Sequence, residues 1–332
     1  MVKCASHLVI GMKGVFKLAT QNTNSFSVQK MIQEKKKKKS AGGITEKIMP
    51  YILFLTAAVS VLTTIGIVLT LIFETFLFFD AVSIKEFFTG KVWYPFSETN
   101  GSFGILPLIM GTLKVTVIAA IVAVPIGLAS AIYLSEYATD RARRIIKPIL
   151  EVLAGIPTIV YGFFALTFVT PILRDIIPSL EIFNALSPGI VIGIMITPMI
   201  ASLSEDAMTS VPNAMREGAL ALGATKFEVA IKVVLPAAIS GIVASIVLGI
   251  SRAIGETMIV AVAGGSTPNL EWNITGSIQT MTAYIVQVSQ GDVGYGTTIY
   301  YSIYAVGMTL FVFTLVMNLL AQYITRRFRE EY

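Results

Sequence analysis

Two opposite charges stand four residues apart inside one of the most apolar parts of the chain. Arg252 and Glu256 belong to the segment Ser251-Arg252-Ala253-Ile254-Gly255-Glu256-Thr257. Residues at this spacing share one face of a helix, and a charge in lipid costs about 3 kcal/mol unless it faces a partner or a water-filled cavity. A guanidinium binds oxyanions bidentately and keeps its charge when buried. The segment therefore predicts an anion pathway formed by Arg252, Glu256, Ser251 and Thr257.

A buried ion pair that pins this helix to a neighbour is the alternative interpretation. The order of the charges counts against it, because a helical pair is more stable with the acid on the N-terminal side.

Three further residues in apolar stretches predict helix interruptions. Gly155, Pro157 and Pro198 can kink helices and free backbone groups that suit a polar lumen. Lys114 and Glu151 lie nearer to the ends of their stretches, where we expect them to snorkel to the membrane surface.

The chain has almost no residues for chemistry that depends on cysteine or histidine. The chain has one cysteine, Cys4, and one histidine, His7, so multi-ligand metal sites and Ser-His catalysis are not expected. The first thirty residues fit neither a secretory signal nor a spanning helix, and Met31 is an alternative start of translation. Without a GxxxxGK loop, we expect no cofactor on this chain and ATP with Mg on a partner.

A polar-edged segment from Glu217 to Pro236 lies between two long apolar stretches and must therefore lie outside the bilayer. Alanine, leucine and glutamate favour a helix up to Leu222, and Gly223 tolerates a left-handed backbone at which a second helix can start at a new angle. Two short helices at a fixed bend predict a knob that docks on another protein. The alternative is an amphipathic connector on the membrane surface. The predicted docking residues are Glu217, Gly218, Ala219, Gly223, Leu235 and Pro236.

Composition places this knob on an all-α integral membrane protein. The chain is 55% hydrophobic and only 14% charged, which a soluble globule does not tolerate. Six stretches are long and apolar enough to cross the bilayer as helices. Their predicted bounds are Pro50 to Phe73, Leu106 to Leu134, Pro148 to Leu173, Pro188 to Leu203, Ala237 to Gly264 and Thr298 to Ile324.

Basic residues orient these six spans. They cluster before the first span (Lys35 to Lys39), after the second (Arg141 to Lys147) and after the sixth (Arg326 to Arg329), so the positive-inside rule puts both termini and the knob in the cytoplasm. The predicted organisation is a basic N-terminal tail, 1–45, a membrane domain, 46–325, with a coupling loop at 205–236, and a short C-terminal tail, 326–332.

In combination, three segments carry a resemblance to a known family. They are Ala154-Gly155-Ile156-Pro157-Thr158-Ile159-Val160-Tyr161-Gly162, Arg252-Ala253-Ile254-Gly255-Glu256-Thr257-Met258 and the loop that begins at Glu217, which is similar to the EAA loop of ABC-importer permeases. Over about residues 45 to 325 the chain resembles the PstC family of phosphate importer permeases. One departure is Gly218, where the loop motif usually has alanine.

The resemblance implies a type I, MetI-like permease in a bacterial cytoplasmic membrane that transports inorganic phosphate and is not itself an enzyme. It implies a PstA-like second permease, two copies of a PstB-like ATPase and a PstS-like extracellular binding protein, with lipid around them and no nucleic acid. A permease for sulfate or molybdate, an ion-coupled carrier and a membrane sensor of phosphate supply remain alternatives.

Overall fold

The computed structural model describes residues 28, 30, 48–97, 101–291 and 293–327. The predictions that concern the N-terminal tail, Met31, Cys4, His7 and Arg329 lie outside these residues. Backbone contacts divide the chain into two compact units, Met1–Leu69 and Thr70–Tyr332. In the first unit the described residues are 28, 30 and 48–69, and residues 48–69 are the N-terminal part of one long apolar helix. The second unit carries the elements that follow this helix.

Helices account for most of the described chain. The α-helices are α1 Ile48–Ala81, α2 Ile84–Thr89, α3 Leu106–Ile132, α4 Asp140–Gly155, α5 Thr158–Phe164, α6 Thr170–Ile176, α7 Leu186–Thr209, α8 Asn213–Ala221, α9 Lys226–Val229, α10 Leu235–Ala237, α11 Ile239–Ile254, α12 Met258–Ala263, α13 Met281–Gln290 and α14 Thr298–Arg327. Single π-helical turns at Tyr133–Tyr137, Ala165–Val169 and Ala230–Val234 extend α3, join α5 to α6 and join α9 to α10. Strands β1 (Trp93–Tyr94) and β2 (Ser102–Phe103) pair antiparallel.

Among the described residues, five helices are long and apolar enough to cross a membrane. They run over Ile48–Ala81, Leu106–Tyr137, Thr158–Ile176, Leu186–Thr209 and Thr298–Arg326. A sixth candidate is the pair Lys226–Ala237 and Ile239–Ile254, which is bent by 74°. The all-α membrane fold is thus confirmed. The predicted fifth span, Ala237 to Gly264, comprises α11 and α12, and residues 255–257 between them belong to neither helix.

The third span starts ten residues later than predicted. Residues from Pro148 to Gly155 belong to α4, a separate amphipathic helix that Thr139 caps by accepting a hydrogen bond from the N–H of Ala142. Ile156 has an extended backbone, as steric contact with the following Pro157 requires, and the membrane helix begins only at Thr158. Pro198 behaves differently, because α7 runs through it without interruption.

The centre of the second unit is the packing of α3 against α7. A Cβ added to Gly193 would lie 2.9 Å from the carbonyl oxygen of Ala119, and one on Gly127 would lie 2.9 Å from Cγ2 of Ile200. Small residues let membrane helices approach this closely and gain dispersion contacts. Helix α11 joins the same core, where the hydroxyls of Ser204 and Ser245 hydrogen-bond at 2.6 Å.

The segment between α12 and α13 folds back onto the membrane helices. The N–H of Met281 donates to Oγ1 of Thr112, two turns inside α3, at 3.2 Å. Gly111 has no room for a Cβ, which would lie 2.2 Å from the carbonyl oxygen of Gln279. Irregular backbone at membrane depth is tolerated only where protein covers it or it lines a cavity, so we interpret residues 265–280 as a re-entrant segment.

Candidate functional site

The fifth span breaks at the predicted pathway residues. Helix α11 ends at Ile254 and α12 starts at Met258, with Gly255 as the C-cap of α11. Arg252 lies in the last turn of α11 and its side chain is exposed. The carbonyl end of a helix favours a cation through its partial negative charge, so α11 stabilises this guanidinium. Within the described chain, Arg252 has no ion pair or side-chain hydrogen bond.

Glu256 does not share a helix face with Arg252, contrary to the prediction. It lies in the break and only 8% of it is exposed. Its Oε1 accepts hydrogen bonds from the N–H groups of Met258 (3.2 Å) and Ile259 (3.4 Å). The helical spacing of four residues is lost once α11 ends, and the free N–H groups at the start of α12 are close partners for a carboxylate.

The other two predicted pathway residues are partly exposed and hold the break in place. The hydroxyl of Ser251 donates to Oδ1 of Asn318 on α14 at 3.1 Å. Thr257 donates to the carbonyl oxygen of Gly255 at 3.3 Å. Of the four predicted pathway residues, Arg252 is therefore the one charged residue that is exposed. The other three, Ser251, Glu256 and Thr257, hold the backbone around it.

The sequence predicted that Lys114 snorkels to the membrane surface, but the structure shows that it is fully buried. Its side chain is 0% exposed, and Nζ donates to the carbonyl oxygen of Asn269 in the re-entrant segment at 3.3 Å. Lys114 lies two turns inside α3, where this contact with the re-entrant segment helps to cover it. Glu151, by contrast, is exposed on α4.

The predicted knob consists of α8 and α9 joined by a tight turn. Gly223 has φ +89°, the left-handed backbone that the sequence predicted. Thr225 and Glu228 form a reciprocal cap at the start of α9. The hydrogen bonds of Thr225 to Glu228, with Lys232 nearby, lower the pKa of the Glu228 carboxyl to about 2.

Glu217, Gly218 and Ala219 all lie on α8, and Gly218 has open space around it. A Cβ there would meet nothing within 4 Å, so the alanine of the usual loop motif would fit and the departure at this position has no steric cause. Leu235 and Pro236 form the short helix α10 rather than the start of the membrane helix, which begins after Ala238.

The tip of the knob carries apolar side chains that sequence reasoning missed. Leu222 is 91% exposed, and Phe227 and Leu220 are also exposed. Apolar side chains presented on a rigid polar-edged element are typical of a surface that another protein covers. Their position directly beside Gly223 and after Glu217 is the signal that could have found them.

Comparison with known proteins identifies relatives of this chain. Residues 123–330 match the family model described as the binding-protein-dependent transport system inner membrane component. A probable ABC transporter permease protein, YqgH of Bacillus subtilis, is 35% identical over 75% of this chain and 80% of its own length. The phosphate transport system permease protein PstC 1 of Mycobacterium tuberculosis is 34% identical over 73% of this chain and 82% of its own.

Solved structures show the same fold at low sequence identity. A chain of a bacterial alginate ABC transporter, solved in complex with a periplasmic protein bound to alginate pentasaccharide, has a TM-score of 0.57 and 18% identity over 83% of this chain and 96% of its own. A chain of the inward-facing MetNI methionine ABC transporter has a TM-score of 0.50 and 19% identity over 68% and 95%.

Proposed function

Because this chain belongs to the family of binding-protein-dependent transport system inner membrane components, we propose that it is a permease subunit of an ATP-driven importer of inorganic phosphate. The observation that carries the proposal is the exposed guanidinium of Arg252 at the break of the fifth span. Similarity to curated phosphate transport permeases supports the choice of anion.

In the proposed mechanism, Arg252 is the transient binding site on the path. Its planar fork of donors matches two oxygens of a phosphate, and the end of α11 stabilises it with no carboxylate partner in the described part of the chain. A site that only passes its anion on must release it readily, and one guanidinium at an open surface meets that need. Ser251 and Thr257 keep the broken backbone beside it in place.

We further infer that the knob of α8 and α9 docks on the ATPase. Its exposed Leu222 and Phe227 fit an apolar groove, and the left-handed turn at Gly223 sets the angle between the two helices. The proposed assembly in the bacterial inner membrane has a PstA-like second permease, two PstB-like ATPase subunits that hold ATP and Mg, and a PstS-like binding protein outside. Both termini of this chain lie in the cytoplasm.

Uptake by the reconstituted complex tests this function. The permease pair, its ATPase and its binding protein are placed in liposomes, and the entry of radiolabelled phosphate is followed with and without ATP. We expect ATP-dependent phosphate uptake that excess sulfate or molybdate does not inhibit. Strong inhibition of phosphate uptake by sulfate or molybdate would assign another oxyanion as the preferred substrate. Phosphate uptake driven by an ion gradient without ATP would refute the ATP-driven importer.

A further inference from the structure

Two arginines at the cytoplasmic ends of the spans are linked to two glutamates in a crossed arrangement. Arg143 on α4 donates from Nη2 to the carbonyl oxygen of Leu134 (2.6 Å), at the end of the second span. Its Nε lies 3.5 Å from Oε1 of Glu205, near the end of the fourth span. Arg143 thus caps one span and pairs with an acid of another.

Arg216 on α8 makes the same two kinds of contact with the two spans exchanged. It donates to the carbonyl oxygens of Met208 (2.7 Å) and Val211 (2.5 Å), at the end of the fourth span. Its Nη2 also lies 3.1 Å from Oε1 of Glu136, in the π-helical turn that ends the second span. We call Arg143, Glu205, Arg216 and Glu136 the crossed clamp.

Three of the four clamp side chains are sheltered from water. Those of Glu205, Glu136 and Arg216 are only 2%, 10% and 16% exposed, whereas that of Arg143 is 32% exposed. Truncating one partner of a buried ion pair is costly because the other charge stays uncompensated, and a cation at the C-terminal carbonyls of a helix is favourable. Lys147 adds a second cation to Glu205, at 2.5 Å, and the resulting hydrogen bond raises the pKa of Lys147.

Arg216 is the only clamp member that belongs to the knob, and it immediately precedes Glu217. Apolar packing also joins the knob to the spans, through Met215 and Ala219, but such contacts have little directional preference. The arginine, by contrast, fixes distance and angle through several donors at once. A cavity of about 420 Å³ lies beside it, lined by Glu136, Arg216 and Lys226 among others, so part of the knob is not packed directly on the spans.

We propose that Arg216 is a positioning residue that transmits the motion of the knob to the second and fourth spans, with Glu136 as its partner. The proposal rests on the importer function given above. When the ATPase displaces α8, the clamp makes the ends of the two spans follow together. Without it the knob moves on its flexible apolar contacts, and ATP is hydrolysed without an equal movement of the pathway.

The test compares ATP consumption with transport in the full complex. Glu136→Gln and Arg216→Lys are reconstituted with the ATPase and binding protein, and Glu151→Gln is the matched control, since it removes an exposed carboxylate that makes no ion pair among the described residues. We expect hydrolysis within about twofold of the wild type and about a tenfold rise in ATP consumed per phosphate for the clamp variants. The control keeps the wild-type ratio.

Two results would overturn the proposal. One is an unchanged ratio of ATP to phosphate, and the other is a proportional fall of both activities with loss of the ATPase from the purified complex, which indicates a docking or folding role. If a single variant fails to assemble, Glu136→Gln combined with Arg216→Gln leaves no unpaired charge and is measured instead.

The failure of this proposal can be told from failure of the importer function. A wild-type complex that takes up no phosphate refutes the function. The clamp is then judged by the stimulation of ATP hydrolysis on adding the binding protein with inorganic phosphate or sulfate. We expect the clamp variants to hydrolyse ATP at close to the stimulated wild-type rate even without the binding protein, so that the ratio of stimulated to basal hydrolysis falls about tenfold. An equal ratio in variant and wild type refutes the clamp.

Discussion

Replacing Arg252 with glutamine should abolish most of the phosphate flux while leaving the protein folded. Within the described chain, Arg252 makes no ion pair, and Glu256 is already satisfied by the N–H groups of Met258 and Ile259. The substitution therefore leaves no buried charge unpaired, and its effect on folding should stay within about 0.5 kcal/mol, as at other exposed positions.

The expected loss of flux follows from the hydrogen bonds. A bond to a charged group contributes about 1.5–3 kcal/mol and a neutral one about 1 kcal/mol. Exchanging a bidentate charged contact for one neutral amide bond costs at least about 2 kcal/mol, which corresponds to a fall of about 30-fold. The full fall of about 30-fold in flux is expected if Arg252 binds the anion at the highest free-energy barrier along the path.

The assay is ATP-dependent uptake of radiolabelled phosphate, normalised to the amount of assembled complex in the membrane. Arg174→Gln is the control, since Arg174 is also exposed but lies at the far end of the third span. Normal flux in the Arg252 variant would remove this residue from the pathway. Loss of the complex from the membrane with normal flux per remaining complex would show that Arg252 only supports the fold.

Three further predictions address other elements. Gly223→Asp should release the ATPase and stop transport, because a side chain at φ +89° strains the turn although a Cβ has open space; retention of the ATPase at the normal ratio in co-purification would contradict this. Lys114→Met should leave the melting temperature of the complex unchanged or higher, since the desolvation of the buried charge outweighs its attraction to Glu271 and its one hydrogen bond, to Asn269; a clearly lower melting temperature would show that the ammonium secures the re-entrant segment. The pKa of Glu228 is lowered to about 2, so the α9 cap is expected to persist above pH 4.5 and to be lost as the pH falls from about 4.5 to about 2. Amide hydrogen exchange at position 228 measures this loss, and over that range it should become faster in the wild type than in Glu228→Gln.

Features that depend on local sequence were predicted well. The apolar stretches identified the membrane helices, because span length is set by bilayer thickness. Gly223 identified the turn of the knob, because a left-handed backbone is a property of the residue itself. The interruption at Gly155 and Pro157 followed from the same kind of local rule.

Features that depend on contacts distant in sequence were not predicted. The direction of the Glu256 carboxylate depends on where α11 ends, and its backbone carbonyl is held by Thr282 from beyond the re-entrant segment. The burial of Lys114 depends on Asn269, 155 residues away. Arg216 looks like an ordinary loop arginine until Glu136, 80 residues earlier, lies beside it.

The break in the fifth span connects these local and distant features. A continuous helix would place Glu256 one turn above Arg252 and neutralise the cation with its own carboxylate. Because α11 ends at Ile254 instead, the carboxylate of Glu256 accepts hydrogen bonds from two N–H groups at the start of α12 that need an acceptor. The same break leaves the guanidinium at the negative end of α11, with no acid paired to it among the described residues. The helix interruption, more than the identity of any one neighbour, therefore leaves Arg252 available for an anion.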